Sequence, residues 1–140
     1  MCKRIPSVSV SVPNDPPAME LQFHPGINIL WGQHAENIVL SLLFGSEADG
    51  WSFLDGSRLP NGLGGASDLL LKKLRETLAK VDDRPLFIYN FLERLDEAVA
   101  LQPLFEALSA TGRQVFIAVP HYYKIHTQEE IYHDTAIHII

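Results

Sequence analysis

The chain opens with strict alternation. In Ser7-Val8-Ser9-Val10-Ser11-Val12 every valine falls on one side of an extended backbone, the pattern of a half-buried strand. Pro13 to Pro17 breaks it as a turn or short loop. Alternation resumes from Met19 to Phe23, with Met19, Leu21 and Phe23 on one face, and His24-Pro25-Gly26 makes a tight turn. Ile27 to Trp31 is a short apolar run, which fits a central strand closed by Gly32. The period then changes. Ala35 to Phe44 carries Ala35, Ile38 and Leu42 at helical spacing, and Gly45 fits its C-terminal cap.

Trp51 to Leu54 reads as another short strand, and Arg58 to Gly65 as a glycine-rich loop. Ser67 to Val81 predicts an amphipathic helix. Leu70, Leu74, Leu78 and Val81 form its stripe, and Lys72, Lys73, Arg75, Glu76 and Lys80 face water. Pro85 to Tyr89 reads as a buried strand. Asp96 to Ala110 reads as a second helix with Val99, Leu104, Phe105 and Leu108 inward, capped by Gly112. Gln114 to Val119 is a further buried strand, Thr127 to His133 a short helix, and Thr135 to Ile140 a last strand. The later part alternates helix and strand, as a parallel sheet covered by helices does. The expected architecture is α/β: a mixed, mostly parallel sheet flanked by helices, with an antiparallel N-terminal ribbon. The whole chain, residues 1–140, reads as a single domain.

Composition narrows the function classes. Hydrophobic residues are 46% and charged residues 20%, which excludes disorder for the bulk of the chain. No apolar run approaches the ~20 residues of a membrane span, and the N-terminus lacks the pattern of a signal peptide. The single cysteine, Cys2, forbids an internal disulfide and a cysteine-based zinc site. These features point to the cytoplasm. A net charge of −6 argues against direct nucleic-acid binding, which needs clustered cations. Lys72, Lys73 and Arg75 read as a solvated helix face.

The segment Leu21 to Gly32, with its Pro-Gly turn followed by an apolar strand ending in glycine, resembles the entry to the nucleotide site of ABC-type ATPases. The nearest pattern is that of the head domains of the RecF and SMC group. The phosphate loop of that family reads G-x-x-x-x-G-K-[ST]. Here the register gives Gly32, then Gln33-His34-Ala35-Glu36, then Asn37, Ile38 and Val39, so only the first glycine is kept. Arg84 to Asp96 is similar to the Walker B strand and the D-loop after it, whose Leu-Asp is kept as Leu95-Asp96. That register puts Tyr89 and Asn90 where the family has its magnesium-binding aspartate and catalytic glutamate. Gly112 to His121 is similar to the strand ending in the family's switch histidine, which would be His121. Asn61-Gly62-Leu63-Gly64-Gly65-Ala66 resembles a worn signature motif without its serine. The resemblance implies a P-loop NTPase-like fold.

The substitutions can be weighed. The family's lysine makes charge-assisted bonds to phosphate, each worth roughly 1.5–3 kcal/mol. Ile38 supplies none, Val39 cannot ligate a metal, and Glu36 adds a negative charge. A helix N-terminus returns only ~0.3–1 kcal/mol. A missing general base costs about 10²–10⁴ in rate. The resemblance therefore implies a catalytically inactive pseudo-ATPase with no cofactor, acting as a protein-interaction or regulatory subunit. By the same likeness its partner is a second copy or an active ATPase subunit, meeting it around Gly64, Gly65 and Asp96, and its pathway DNA repair, chromosome organisation or phage defence. Two enzyme readings stand beside it. One is a nucleotide-binding ATPase with an atypical site. The other is a small enzyme using His121 with Tyr122, Glu129 and Glu130. His121, His126, His133 and His138 match no compact metal motif, so no metal is expected. Trp51 and Phe53 read as core, and Asp55 and Asp68 as ordinary loop and helix-start residues.

Overall fold

The computed structural model describes residues 7–10, 19–35, 37–38, 41, 44–45, 48–63, 66–80, 82–96, 99–124 and 135–139. Its strands are β1 (Ser7–Val10), β2 (Met19–Gln22), β3 (Ile27–Trp31), β4 (Ser52–Asp55), β5 (Leu86–Tyr89), β6 (Val115–Val119) and β7 (Thr135–Ile139). Two longer helices are α1 (Ser67–Leu78) and α2 (Leu101–Ser109). Ala35, Asn37, Ile38 and Ser41 are also helical. The short helix expected over residues 127–133 lies outside the described residues, as do Leu42 and Val81.

β3 to β7 form a five-stranded sheet in the order β4-β5-β6-β3-β7. Every neighbouring pair in it is parallel, so the expected mixed sheet is corrected to an all-parallel one. The reason is connectivity. Each pair of successive strands in this sheet is joined by a long crossover, which returns the chain to the same end before the next strand begins. β1 and β2 pair antiparallel in a separate two-stranded sheet and add no strand to the larger one.

Period-two alternation divides the sheet into two faces. Ile27, Ile29, Leu86, Ile88, Val115, Ile117 and Val119 turn toward α1 and α2, where they meet Leu70, Leu74, Leu104, Phe105 and Leu108. Leu30, Phe87, Phe116 and Ala118 turn the other way, toward Ala35, Ile38 and Trp51. The second face is aromatic. The Trp51 ring sits 5.0 Å from Phe116, edge to face, and Phe23 meets Phe116 at 4.7 Å. Fully burying side chains such as Phe87 and Phe116 contributes roughly 1.5–3 kcal/mol each. Trp51 is core, as its sequence context suggests.

α2 begins at Leu101, five residues later than Asp96, the start expected from the apolar stripe. Pro103 is the cause. A helix running back to Asp96 would need an N–H at position 103 and would press the proline ring on the carbonyl of Val99. With the start at Leu101, Pro103 falls in the first turn, where that N–H is not required. Val99 still packs in the core, but from the preceding loop.

The N-terminal end of β3 is closed by side chains. Asn28 is fully buried. Its Nδ2 donates to the His24 carbonyl at 2.8 Å, and its Oδ1 accepts from the His24 N–H at 2.8 Å. His138 on β7 completes the set, with Nε2 2.9 Å from the same Oδ1. Since that oxygen accepts, His138 Nε2 carries the hydrogen. Gln114 Nε2 donates to the His24 carbonyl at 3.0 Å. Nearby, Arg113 forks onto the Arg84 carbonyl at 3.0 and 2.8 Å, and Arg84 pairs with Asp82 at 2.7 Å. The Arg84 guanidinium holds the Asp82 carboxyl well below the usual carboxylate range.

Candidate functional site

The sheet order defines a crevice. From β3 the chain crosses to β4, three positions away. From β6 it crosses in the opposite sense, past β3, to β7. β3 and β6 are neighbours whose connections leave in opposite directions, and in open parallel sheets the carboxyl ends of such strands form the ligand crevice. The reversal also explains the two layers. Right-handed crossovers in opposite senses put the helical residues after β3 on one face and α1 and α2 on the other.

Gly32 stands at this point. Its N–H donates to the Val119 carbonyl of β6 at 3.1 Å, and its carbonyl accepts from Ala35 at 3.4 Å as the helical turns begin. Its φ of 149° is one that residues with side chains rarely adopt. Asn37 is exposed. Ile38 is only 7% exposed and packs with Leu30, Ala35 and Trp51. The position the resemblance assigns to a phosphate-binding lysine is thus filled by a core side chain. Val39 and Glu36 lie outside the described residues.

Beside β6, β5 ends in Tyr89, and Asn90 follows it. Tyr89 packs half-buried against the aromatic face. Asn90 takes a left-handed conformation, φ 53°, which asparagine tolerates better than most residues. Its Nδ2 lies 3.4 Å from Asp55 Oδ1 at the end of β4. Asp55 also accepts from the Ser57 hydroxyl at 2.7 Å and from its N–H at 3.0 Å. The hydroxyl bond is the main reason its carboxyl titrates below the ordinary value. Asp55 is therefore a strand-end carboxylate beside Asn90 rather than an ordinary loop residue. Gly56 is required by this contact, because a Cβ there would stand 2.5 Å from the Asn90 carbonyl oxygen.

His121 follows β6 and is exposed, its ring 5.9 Å from Tyr122 in an edge-on contact. Tyr122 is exposed too, so His121 and Tyr122 share a surface rather than a deep pocket. Glu129, Glu130, His126 and His133 lie outside the described residues. The perturbed groups at this edge are others. Burial pushes the half-buried Glu93 carboxyl up, and its Oε2 makes no hydrogen bond to a described group. Burial, then the Glu93 charge, pushes the Tyr123 phenol up. Trp31 Nε1, at the end of β3, is likewise buried and has no hydrogen-bond partner among the described residues. Sequence spacing gave no sign of Glu93, because its burial and its proximity to Tyr123, thirty residues on, arise only in the folded chain.

Asp96 is tied to the loop it was expected to accompany. Its N–H donates to the Asn61 carbonyl at 2.8 Å, and its carbonyl accepts from Val99 at 3.0 Å. Gly64 and Gly65 lie outside the described residues. A cavity of about 280 Å³ opens beside this junction, lined by Gly56, Ser57, Asn61 and Arg94 among others. Among the described residues no three His, Cys, Asp or Glu side chains group as metal ligands, and no helix is long and apolar enough to cross a membrane. No protein-family model matches the chain, and no curated protein matches it.

Proposed function

We propose that this chain is a P-loop NTPase-like pseudo-ATPase of the cytoplasm, related to RecF and SMC head domains, and works as a protein-interaction or regulatory subunit. One observation carries the reading. The segment that resembles the family's phosphate loop follows β3, those that resemble its Walker B and switch strands contain β5 and β6, and these three strands stand side by side with their carboxyl ends on one edge. The chemistry at that edge argues for loss of activity. Ile38 is core, Tyr89 is packed in an aromatic layer, and Asn90 bonds to Asp55. No lysine or glutamate stands at the positions where the family places its catalytic groups. The partner is a second copy or an active ATPase subunit, docking near Asp96 and the Gly64-Gly65 loop. A role in DNA repair, chromosome organisation or phage defence belongs to the same analogy.

Titration calorimetry with ATP and magnesium tests the reading. The expected result is no heat of binding. Micromolar affinity that depends on magnesium overturns it. The second reading, an ATPase with an atypical site, has one observation in its favour: the Asp55 carboxylate within reach of Asn90. Under that reading Asp55→Asn abolishes magnesium-dependent ATP binding.

A further inference from the structure

β4 is an outer strand of the sheet, and a groove of about 870 Å³ runs along it. All four residues of the strand line the groove, along with Lys73, Glu76, Thr77 and Leu78 of α1 and with Leu59 and Pro60. The backbone direction follows from the ladder. Ser52 donates its N–H to the Pro85 carbonyl at 2.9 Å, so Ser52 and Leu54 turn their peptide groups toward β5. Phe53 and Asp55 turn theirs outward, as alternate residues of a strand must. An outer strand facing a helix across a groove is the geometry in which an extended peptide adds as a further strand.

The charges in the groove select the peptide. The chain as a whole carries −6. The groove departs from that balance: the exposed Arg58, Lys73 and Lys80 are set against Asp55, Glu76 and Asp82, while Arg113 is buried and bonded to the Arg84 carbonyl. All three carboxylates are already engaged: Asp55 by Ser57, Asp82 by Arg84, and Glu76 by Lys73 at 3.6 Å. Among the described residues, no carboxylate lies within ion-pair distance of Arg58 or Lys80. We infer that the β4 edge binds an extended, acidic segment of a partner protein by strand addition, with Lys73 of α1, Lys80 after it and Arg58 meeting its carboxylates. This surface flanks the sheet rather than the crevice, and its test stands whether or not the chain is a pseudo-ATPase.

The probe is an acetylated eight-residue peptide alternating valine and glutamate, with a valine-lysine peptide as comparator. Affinity is read by fluorescence anisotropy and the site by amide hydrogen exchange. The glutamate peptide is expected to bind and to slow exchange of the outward Phe53 amide. Reversing two exposed cations of the groove, in Lys73→Glu with Lys80→Glu, is expected to weaken it about five-fold or more, from the usual strength of surface ion pairs. Equal binding of the lysine peptide overturns the inference. So does binding that leaves the Phe53 amide unprotected, or an absence of binding to the unmodified protein.

Discussion

The two ends of strand β3 are built on different terms. At its start, Asn28 binds both the N–H and the carbonyl of His24 and reaches His138 on the outer strand β7. The turn before β3, the entry to β6 and β7 are thereby joined through one buried amide. At its end, the backbone is tied by the Gly32–Val119 bond, and some of the buried polar side-chain atoms nearby lack partners among the described residues. Trp31 Nε1 and Glu93 Oε2 are buried without hydrogen bonds to described groups, and Gly32 and Asn90 hold positive φ angles. One end spends its polar groups on the fold. The other keeps strain and unsatisfied polarity at the edge where parallel sheets bind ligands.

Replacing Asn28 by leucine should be the largest blow. It leaves buried backbone groups of the His24 turn without partners, at a cost of about 3 kcal/mol, measured as a shift in the denaturation midpoint. A loss below about 1 kcal/mol would show that the turn finds other partners. At the opposite end, Gly32→Ala should cost about 2 kcal/mol through backbone strain alone. A wild-type midpoint in that variant would mean that the loop relaxes freely.

The ends should also titrate in opposite directions. Burial, then the neighbouring His24, lowers the pKa of His138 below its ordinary 6.5. The unfolded chain therefore takes up this proton first. The His138 contribution is full above about 6.5 and falls as the pH drops toward the folded value. Glu93 has a raised pKa, so its contribution is full below the ordinary 4.5 and falls as the pH rises through the folded value. Denaturation across pH in two variants separates them. His138→Gln should flatten the acid limb and leave the rest of the profile in place. Glu93→Gln should have the smaller effect, removing the decline above pH 4.5 and raising stability at neutral pH. If both variants change the same limb, the contrast between the two ends is lost.

Much of the fold was legible in the alternation and apolar runs. The strand Ile27–Trp31 has the bounds its pattern predicts, and the Leu70–Leu74 stripe is buried. The start of α2 was not read correctly, although the signal was present: Pro103 outweighs a favourable stripe, because a steric clash costs more than one apolar contact returns. The candidate site was half legible. Gly32 could be singled out because it closes an apolar run and matches the first glycine of the loop pattern, and its positive φ is one that glycine alone adopts readily. The contact of Asp55 with Asn90 and the burial of Glu93 near Tyr123 could not, since each joins residues about thirty apart along the chain.

Local sequence determined which segments are extended and which are helical, because side-chain period and backbone sterics act over a few residues. It also puts Ile38, Tyr89 and Asn90 where the family it resembles carries a lysine and two acids, since residue identity needs no fold to be read. Tertiary structure alone decided that the sheet is wholly parallel, that β3 lies between β6 and β7, and that Asp55 meets Asn90. These depend on how crossovers carry distant segments across the sheet, and packing between segments far apart in sequence leaves no local trace in either.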